Sequence, residues 1–289
     1  MTRTAVAARP APAAVRSRRG ALAAALSVAV AALGTAPARA HDTWLLPDQA
    51  KVEAGRPVTF AITSGMAFPA EETAIDDERV ARSGVRLAGA QEQFASQREG
   101  ERALHLTTVL ARAGIATAWV ELRPRSIELT PDQVSHYVEE IGAPPELLAR
   151  WQAMPEPRRW REAYRKHTKT FVRVGEPAGD RSWSEPVGSP VELVPEQDPT
   201  ALTAGDELTV LLLRGGAPAA GANVALVHAG GERALIRATD AGGRVTFPLA
   251  SAGWYLMRST HLRPAGAADL EWEADFATLT VRVGERSGR

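Results

Sequence analysis

The sequence predicts a mainly β protein made of two β-sandwich-like domains, the first with a short helical insertion and the second immunoglobulin-like or transthyretin-like. Its composition, 45% hydrophobic and 24% charged, is typical of a folded chain. Short stretches in which apolar and polar residues alternate recur between glycine-containing turns, and one stretch with helix signals interrupts them. We expect a first domain over 41–175, a linker over 176–188 and a second domain over 189–289.

Residues 1–40 have the pattern of a secretory signal peptide. The first 20 residues hold five arginines and no acid, a 14-residue run of small and apolar residues follows, and Ala38-Arg39-Ala40 places small residues at the cleavage positions. The paired arginines resemble a twin-arginine signal, but no large apolar residue follows them, which favours the general secretory route. We therefore expect a periplasmic protein with no transmembrane segment in its mature chain.

Composition excludes several kinds of function. Six of the 34 basic residues lie within 1–40, so the rest of the chain carries 28 basic against 34 acidic residues. A mildly acidic body lacks the positive surface that binds a phosphate backbone, and nucleic acid is not an expected partner. Cysteine is absent, which excludes disulfides, thiol nucleophiles and thiolate metal sites.

Four strands are predicted in the first half, because apolar residues alternate there with polar ones, as they do in half-buried strands. In Lys51–Thr63, for example, Val58, Phe60 and Ile62 share one face. The predicted strands are Lys51–Thr63, a stretch around Leu104–Thr108, Ile115–Leu122 and Phe171–Gly175.

A helical insertion is predicted at about 130–167. Thr130 is a suitable N-cap, Pro131 occupies the first helical position, and Gln133 completes a capping box. A second helix is predicted over 157–166, since two aromatic residues lie four positions apart there, as on one face of a helix.

Seven short strands are predicted in the second half, at the spacing of a small β-sandwich. Glycine pairs mark several of the turns between them. The predicted strands are Val191–Val194, Glu207–Leu213, Asn223–Val227, Ala234–Thr239, Arg244–Pro248, Gly253–Ser259 and Ala274–Val283.

Cleavage after Ala40 would make His41 the first residue of the mature chain. An amino-terminal histidine carries an α-amine and an imidazole that can chelate one transition metal together. Asp42 follows as a further possible donor. The apolar residues after it look like the start of a buried strand, which would hold the terminus near the body of the protein.

The remaining candidate ligands are spread along the chain. His261 and His228 are each predicted to end a strand of the second half, and His261 is the preferred distant partner of His41. No His-Glu-x-x-His motif, phosphate-binding glycine loop or Gly-x-Ser-x-Gly motif is present. The predicted metal ligands are therefore His41, Asp42, His228 and His261, assembled from separate segments.

Five segments taken in order carry a family resemblance: His41 to Pro47, Gly65 to Pro69, Tyr164 to Gly175, Thr239 to Gly243 and Gly253 to His261. Together they resemble a family of exported bacterial proteins labelled as periplasmic components of cobalt or nickel ABC-type transport, similar to nickel-uptake accessory proteins. The resemblance implies periplasmic residence, two β-rich domains and a divalent metal bound through the amino-terminal histidine.

The leading hypothesis is a non-enzymatic periplasmic protein that binds Ni(II), Co(II) or Cu(II) through His41 and His261 and serves a membrane metal transporter. An enzyme remains an alternative, because an amino-terminal histidine on a β-sandwich also resembles copper-dependent polysaccharide monooxygenases. That function needs a second chelating histidine and an axial Tyr or Phe. A metal-free module for interactions at the cell envelope is the third possibility.

Overall fold

The computed structural model describes residues 1–2, 41–177, 179–231, 233–267 and 269–286. The predicted signal peptide, apart from its first two positions, lies outside them. In this part of the chain the α-helices are α1 (Pro131–Glu140) and α2 (Pro145–Gln152). The strands before them are β1 (Asp42–Pro47), β2 (Lys51–Val52), β3 (Pro57–Gly65), β4 (Thr73–Ala74), β5 (Val80–Leu87), β6 (Ala90–Glu92), β7 (Ser96–Glu99), β8 (Leu104–Val109), β9 (Gly114–Leu122) and β10 (Arg125–Leu129). The strands after them are β11 (Trp160–Val174), β12 (Val191–Pro195), β13 (Glu207–Arg214), β14 (Ala217–Pro218), β15 (Asn223–His228), β16 (Leu235–Ala238), β17 (Arg244–Pro248), β18 (Gly253–Pro264) and β19 (Trp272–Val283).

The strands form three sheets. A ten-stranded sheet has the order β16-β15-β18-β19-β11-β9-β5-β6, with β10 and β2 also paired to β11. A five-stranded sheet contains β1, β3, β8, β7 and β4, and a four-stranded sheet contains β12, β13, β14 and β17. The fold is therefore mainly β, as the sequence predicts.

The ten-stranded sheet is the central layer, and the two smaller sheets pack against its opposite faces. Successive strand residues point to opposite faces of a sheet. On β11, Val172 and Val174 belong to the hydrophobic cluster that includes Phe60 of the five-stranded sheet. Phe171, adjacent to Val172, belongs to the cluster that includes Phe247 of the four-stranded sheet. The two sandwich-like cores thus share one sheet.

Most elements lie where the sequence predicts them. All seven strands predicted in the second half are present, although β18 continues beyond its predicted end to Pro264. The helix after Thr130 is also present, and the backbone N–H of Thr130 donates to the Gln133 side chain over 2.9 Å. That bond satisfies a donor at the start of the helix.

The predicted helix over 157–166 is wrong. Residues 160–174 form the long strand β11, and the second helix, α2, lies earlier in the chain. A spacing of four fits a strand as well as a helix, because four is a multiple of two. The strand alternation was hidden because polar Glu162 shares the inner face with Trp160 and Tyr164.

The predicted linker over 176–188 does not separate two sheets. Strand β11, which precedes it, pairs in parallel with β19 near the carboxyl end. Within the segment, Trp183 is buried in the hydrophobic cluster to which the four-stranded sheet contributes. The described residues from His41 to Arg286 belong to one compact unit. No helix in the described part of the chain is long and apolar enough to cross a membrane.

Cleavage within 176–188 by a protease is expected to leave two pieces that stay together. The parallel pairing of β11 with β19 and the shared hydrophobic cores still join them after the cut. Limited proteolysis followed by size-exclusion chromatography under native conditions tests this expectation. Two fragments that elute separately would instead indicate two independent domains.

Candidate functional site

Two neighbouring depressions open where β1 begins. We call the first the terminal cleft; its polar lining includes His41, Asp42, Glu140, Lys166 and Arg258. We call the second the insertion cavity; it has a volume of about 290 Å³ and lies between the five-stranded sheet, β10, α1 and the floor formed by β11 and β19. His41 and Lys166 line both.

The backbone at His41 is fixed although the residue itself is exposed. Strand β1 is paired with β3 along its whole length, starting with Asp42 opposite Gly65. The Lys166 ammonium donates to the His41 carbonyl oxygen over 2.6 Å and to the Thr43 hydroxyl over 2.9 Å. The start of β1 is therefore held against the central sheet, as the apolar residues after His41 predict.

Asp42 already has a partner. Its Oδ2 lies 2.7 Å from Nη1 of Arg258 on β18, and both side chains are mostly buried. An ion pair of this kind competes with a metal for the same carboxylate. Asp42 is therefore next to His41, but its carboxylate is already paired with Arg258.

His261 does not lie with His41. It is inside β18, opposite Asp275 on β19, rather than at the strand end predicted for it. Thr260, the preceding residue, faces the terminal cleft, so alternation directs His261 to the opposite face of the central sheet. Burial, followed by the charges of Arg214 and Arg263, lowers the pKa of His261.

His228 is also separated from His41. Its Nε2 donates to the carbonyl oxygen of Ala252 over 3.2 Å, and its ring lies 4.6 Å from that of Tyr255. Tyr255 belongs to the core shared with the four-stranded sheet, away from His41. Across the residues that the structure describes, no three His, Asp or Glu side chains are grouped so that they could hold a metal ion.

Three basic side chains that the sequence analysis did not select line the insertion cavity: Arg79, Arg125 and Lys166. The pKa of Lys166 is lowered to about 8, chiefly by burial; the charge of Asp42 opposes the shift, and the charges of both arginines add to it. Burial, and then Arg125, also lowers the pKa of Arg79. These mutual effects show that the three positive charges are close enough to repel one another.

A buried carboxyl lies under α1, beside the insertion cavity. The Tyr137 hydroxyl donates to Oε1 of Glu162 over 2.8 Å, and Trp160 Nε1 donates to Oε2 over 2.9 Å. Burial raises the pKa of Glu162 to about 7, although both hydrogen bonds oppose the shift. This group fixes the wall of the cavity, which Tyr137 also lines.

The sequence matches a known family over residues 38–263, the family described as "Domain of unknown function (DUF4198)". This chain belongs to that family. The match extends across both sides of the 176–188 segment. The family description names no metal or transporter, so the cobalt and nickel resemblance stays a prediction. No curated protein sequence matches the chain.

Among solved structures, the chain is similar to the ICAM-5 D1–D4 ectodomain fragment, at 15% identity over 86% of this chain and 52% of that one, with a TM-score of 0.23. It thus spans about half the length of that fragment. The D0-D1 domain of intimin is 11% identical over 84% of this chain and 98% of that one, with a TM-score of 0.22. The Yersinia pseudotuberculosis adhesin InvE is 12% identical over 83% and 58%, with a TM-score of 0.22. Similarities at these scores carry no argument about fold or function.

Proposed function

We propose that this chain is a periplasmic binding protein that carries a divalent transition metal, Ni(II), Co(II) or Cu(II), on a mature amino terminus at His41. The position of His41 carries the proposal: an exposed histidine directly precedes a fully paired strand. Once the leader is removed, its α-amine and imidazole provide two nitrogen donors from one residue. Imidazole nitrogen suits all three metals, and copper binds such sites most tightly.

Lys166 and Thr43 fix the backbone beside this chelate. Fixing the backbone lowers the entropy that the terminus loses when it binds a metal, because less freedom remains to be lost. Asp42 lies in the same cleft, pairs with Arg258 and offsets part of the charge of Lys166.

A chelate with two protein donors leaves other coordination positions to water or to the ligands of a partner. Such a metal is easily transferred, which suits an accessory protein that hands its cargo to a membrane transporter. His261 and His228, which lie away from the terminal cleft, are not part of this proposed site.

Adding one residue before His41 is expected to weaken metal binding by at least about tenfold. The added peptide bond converts the α-amine into an amide and destroys the chelate. Substitutions of residues that only hold the metal ligands in place already lower metal affinity about 10–100-fold, so losing a ligand should cost at least as much. Calorimetric titration of Ni(II), Co(II) and Cu(II) compares a chain that begins at His41 with one that begins at Ala40.

His41→Ala should have a similar effect, and His261→Ala is the matched control that keeps the affinity of the parent chain. Equal affinities of the two chains with different first residues would contradict the proposal. A loss in His261→Ala as large as in His41→Ala would instead place that histidine among the ligands.

A further inference from the structure

The insertion cavity has the size of a ligand site. Its volume of about 290 Å³ is at the lower end of the range for small-molecule sites, about 300–1,000 Å³. The five-stranded sheet, β10 and α1 enclose it, and β11 and β19 close it below. A cavity formed by this many elements depends on the fold of the whole unit.

The polar lining of the cavity is cationic. Arg79, Arg125 and Lys166 line it, and none of the described lining residues is acidic. Arg125 has one ion pair, with Asp76 at 2.8 Å, where both side chains are largely exposed. No carboxylate among the described residues lies within ion-pair distance of Lys166. Positive charges held together in this way favour an anion between them.

Arg79 also keeps an unused donor. Its Nη2 donates to the carbonyl oxygen of Arg123 over 3.0 Å. Its Nε is buried and has no hydrogen-bond partner in the described part of the chain. The bond to the Arg123 carbonyl holds the Arg79 guanidinium at the wall of the cavity.

The rest of the lining is apolar and includes Ile75, Leu122, Ile127 and Phe276. Tyr164 adds an aromatic ring, with the Lys166 ammonium 5.7 Å from its centre. An inorganic anion would leave these walls without contacts, whereas an organic anion would bury apolar surface against them.

We propose that the insertion cavity binds a small organic molecule that combines a carboxylate with an apolar body. The carboxylate lies between Lys166 and the two arginines, and the body packs against the apolar side chains of β10 and the floor. This site is distinct from the metal chelate and needs no metal, although His41 lies at the edge of both.

The test uses the chain that begins at His41, in buffer freed of metal by a chelating resin, so that its outcome does not depend on the proposed metal function. Benzoate is the probe, benzamide is its uncharged analogue of the same shape, and inorganic phosphate is an anion without an apolar body. Binding is measured by NMR titration. We expect saturable binding of benzoate, at least about tenfold tighter than that of benzamide or phosphate, because a hydrogen bond to a charged group contributes about 1.5–3 kcal/mol.

Lys166→Met and Arg79→Met should each weaken benzoate binding by about tenfold or more. Arg112→Met is the matched control, since Arg112 is exposed, is not among the lining residues and lies 3.8 Å from Glu92. If either cavity variant fails to fold by circular dichroism, Arg125→Gln replaces it, because that side chain is half exposed and its loss leaves the core intact.

Three outcomes would overturn the proposal: no saturable benzoate binding, benzamide or phosphate binding as tight as that of benzoate, or unchanged benzoate affinity in the folded cavity variants.

Discussion

Lys169→Met is expected to destabilise the fold by about 3–5 kcal/mol, the usual cost of removing one partner from a buried ion pair. The Lys169 ammonium lies 2.6 Å from Oε1 of Glu192, and both side chains are almost completely buried. Without Lys169, the Glu192 carboxylate stays in the interior without its counter-charge. Urea unfolding followed by circular dichroism measures the loss.

Glu192 also accepts hydrogen bonds from the backbone, which fix its carboxylate in the interior. Its two oxygens accept the backbone N–H groups of Val187, Gly188 and Ser189. Burial alone would raise the pKa of Glu192, but Lys169, followed by the N–H groups of Val187 and Gly188, outweighs burial and lowers it. Removing Lys169 takes away the largest opposing contribution, so the pKa of Glu192 rises in the variant, and the buried carboxyl destabilises the folded state whether it keeps its charge or takes up a proton.

The double variant Lys169→Met, Glu192→Gln removes both charges, keeps a side-chain oxygen as acceptor for the backbone N–H groups, and should recover part of the loss. The double-mutant cycle gives the coupling between the two residues. Arg244→Met is the control, since its pair with Glu196 is largely exposed and should cost at most about 1 kcal/mol. A loss in Lys169→Met no larger than in the control would contradict the expectation.

The same pair holds the segment that the sequence predicts to be a linker. Residues 176–188 have the composition of a linker, which reports the preference of the local backbone. Their conformation depends instead on Lys169 and Glu192, which lie on either side of the segment, and on the burial of Trp183. Contacts between distant residues do not appear in local composition.

Regular alternation made most of the fold predictable. Apolar residues on one face identified β3, β8, β9, β12, β13 and β15–β19 in large part, and the capping residues identified α1. The alternation of β11 was obscured because each face of it buries polar groups: Glu162 on one face, and His167 and Lys169 on the other. Buried polar residues look like surface residues in a sequence.

The candidate site was predictable only in part. A predicted cleavage site followed by histidine directed attention to His41, and Asp42 adjoins it by sequence. His261 was a plausible partner by residue type, but its side of the sheet depends on the pairing of β18 with β19. Lys166 was hidden in a basic run, Arg165 to Lys169, which the sequence places at a helix end. The strand periodicity of that run would have directed Lys166 to the same face as Tyr164.

Glu162→Gln is expected to stabilise the protein at pH 8 by up to about 3 kcal/mol and to have little effect at pH 4.5. Burial raises the folded-state pKa of Glu162 from 4.5 to about 7. The folded state therefore holds this proton more tightly than the unfolded state. Stability falls as the pH rises from the lower of these two pKa values to the higher, by about 1.4 kcal/mol for each pH unit between them.

Glutamine keeps the shape of the side chain and cannot ionise. Its carbonyl oxygen can accept the Trp160 Nε1 proton, and its amide can donate to the Tyr137 hydroxyl oxygen, so both contacts of Glu162 persist. The variant should therefore lack the fall in stability that Glu162 causes, while every other titrating group stays the same.

The free energy of unfolding is measured in urea at several pH values from 4.5 to 8, for the parent chain and for Glu162→Gln. Subtracting one curve from the other removes the contributions of the other ionisable groups, which both proteins share. Glu128→Gln is the matched control, because Glu128 lies on the adjacent strand β10 and is exposed. The difference between parent and Glu162→Gln should grow with pH and level off above about pH 7. A difference that is constant across the window, as expected for the control, would show that Glu162 ionises at its ordinary pKa and that its burial does not limit stability at neutral pH.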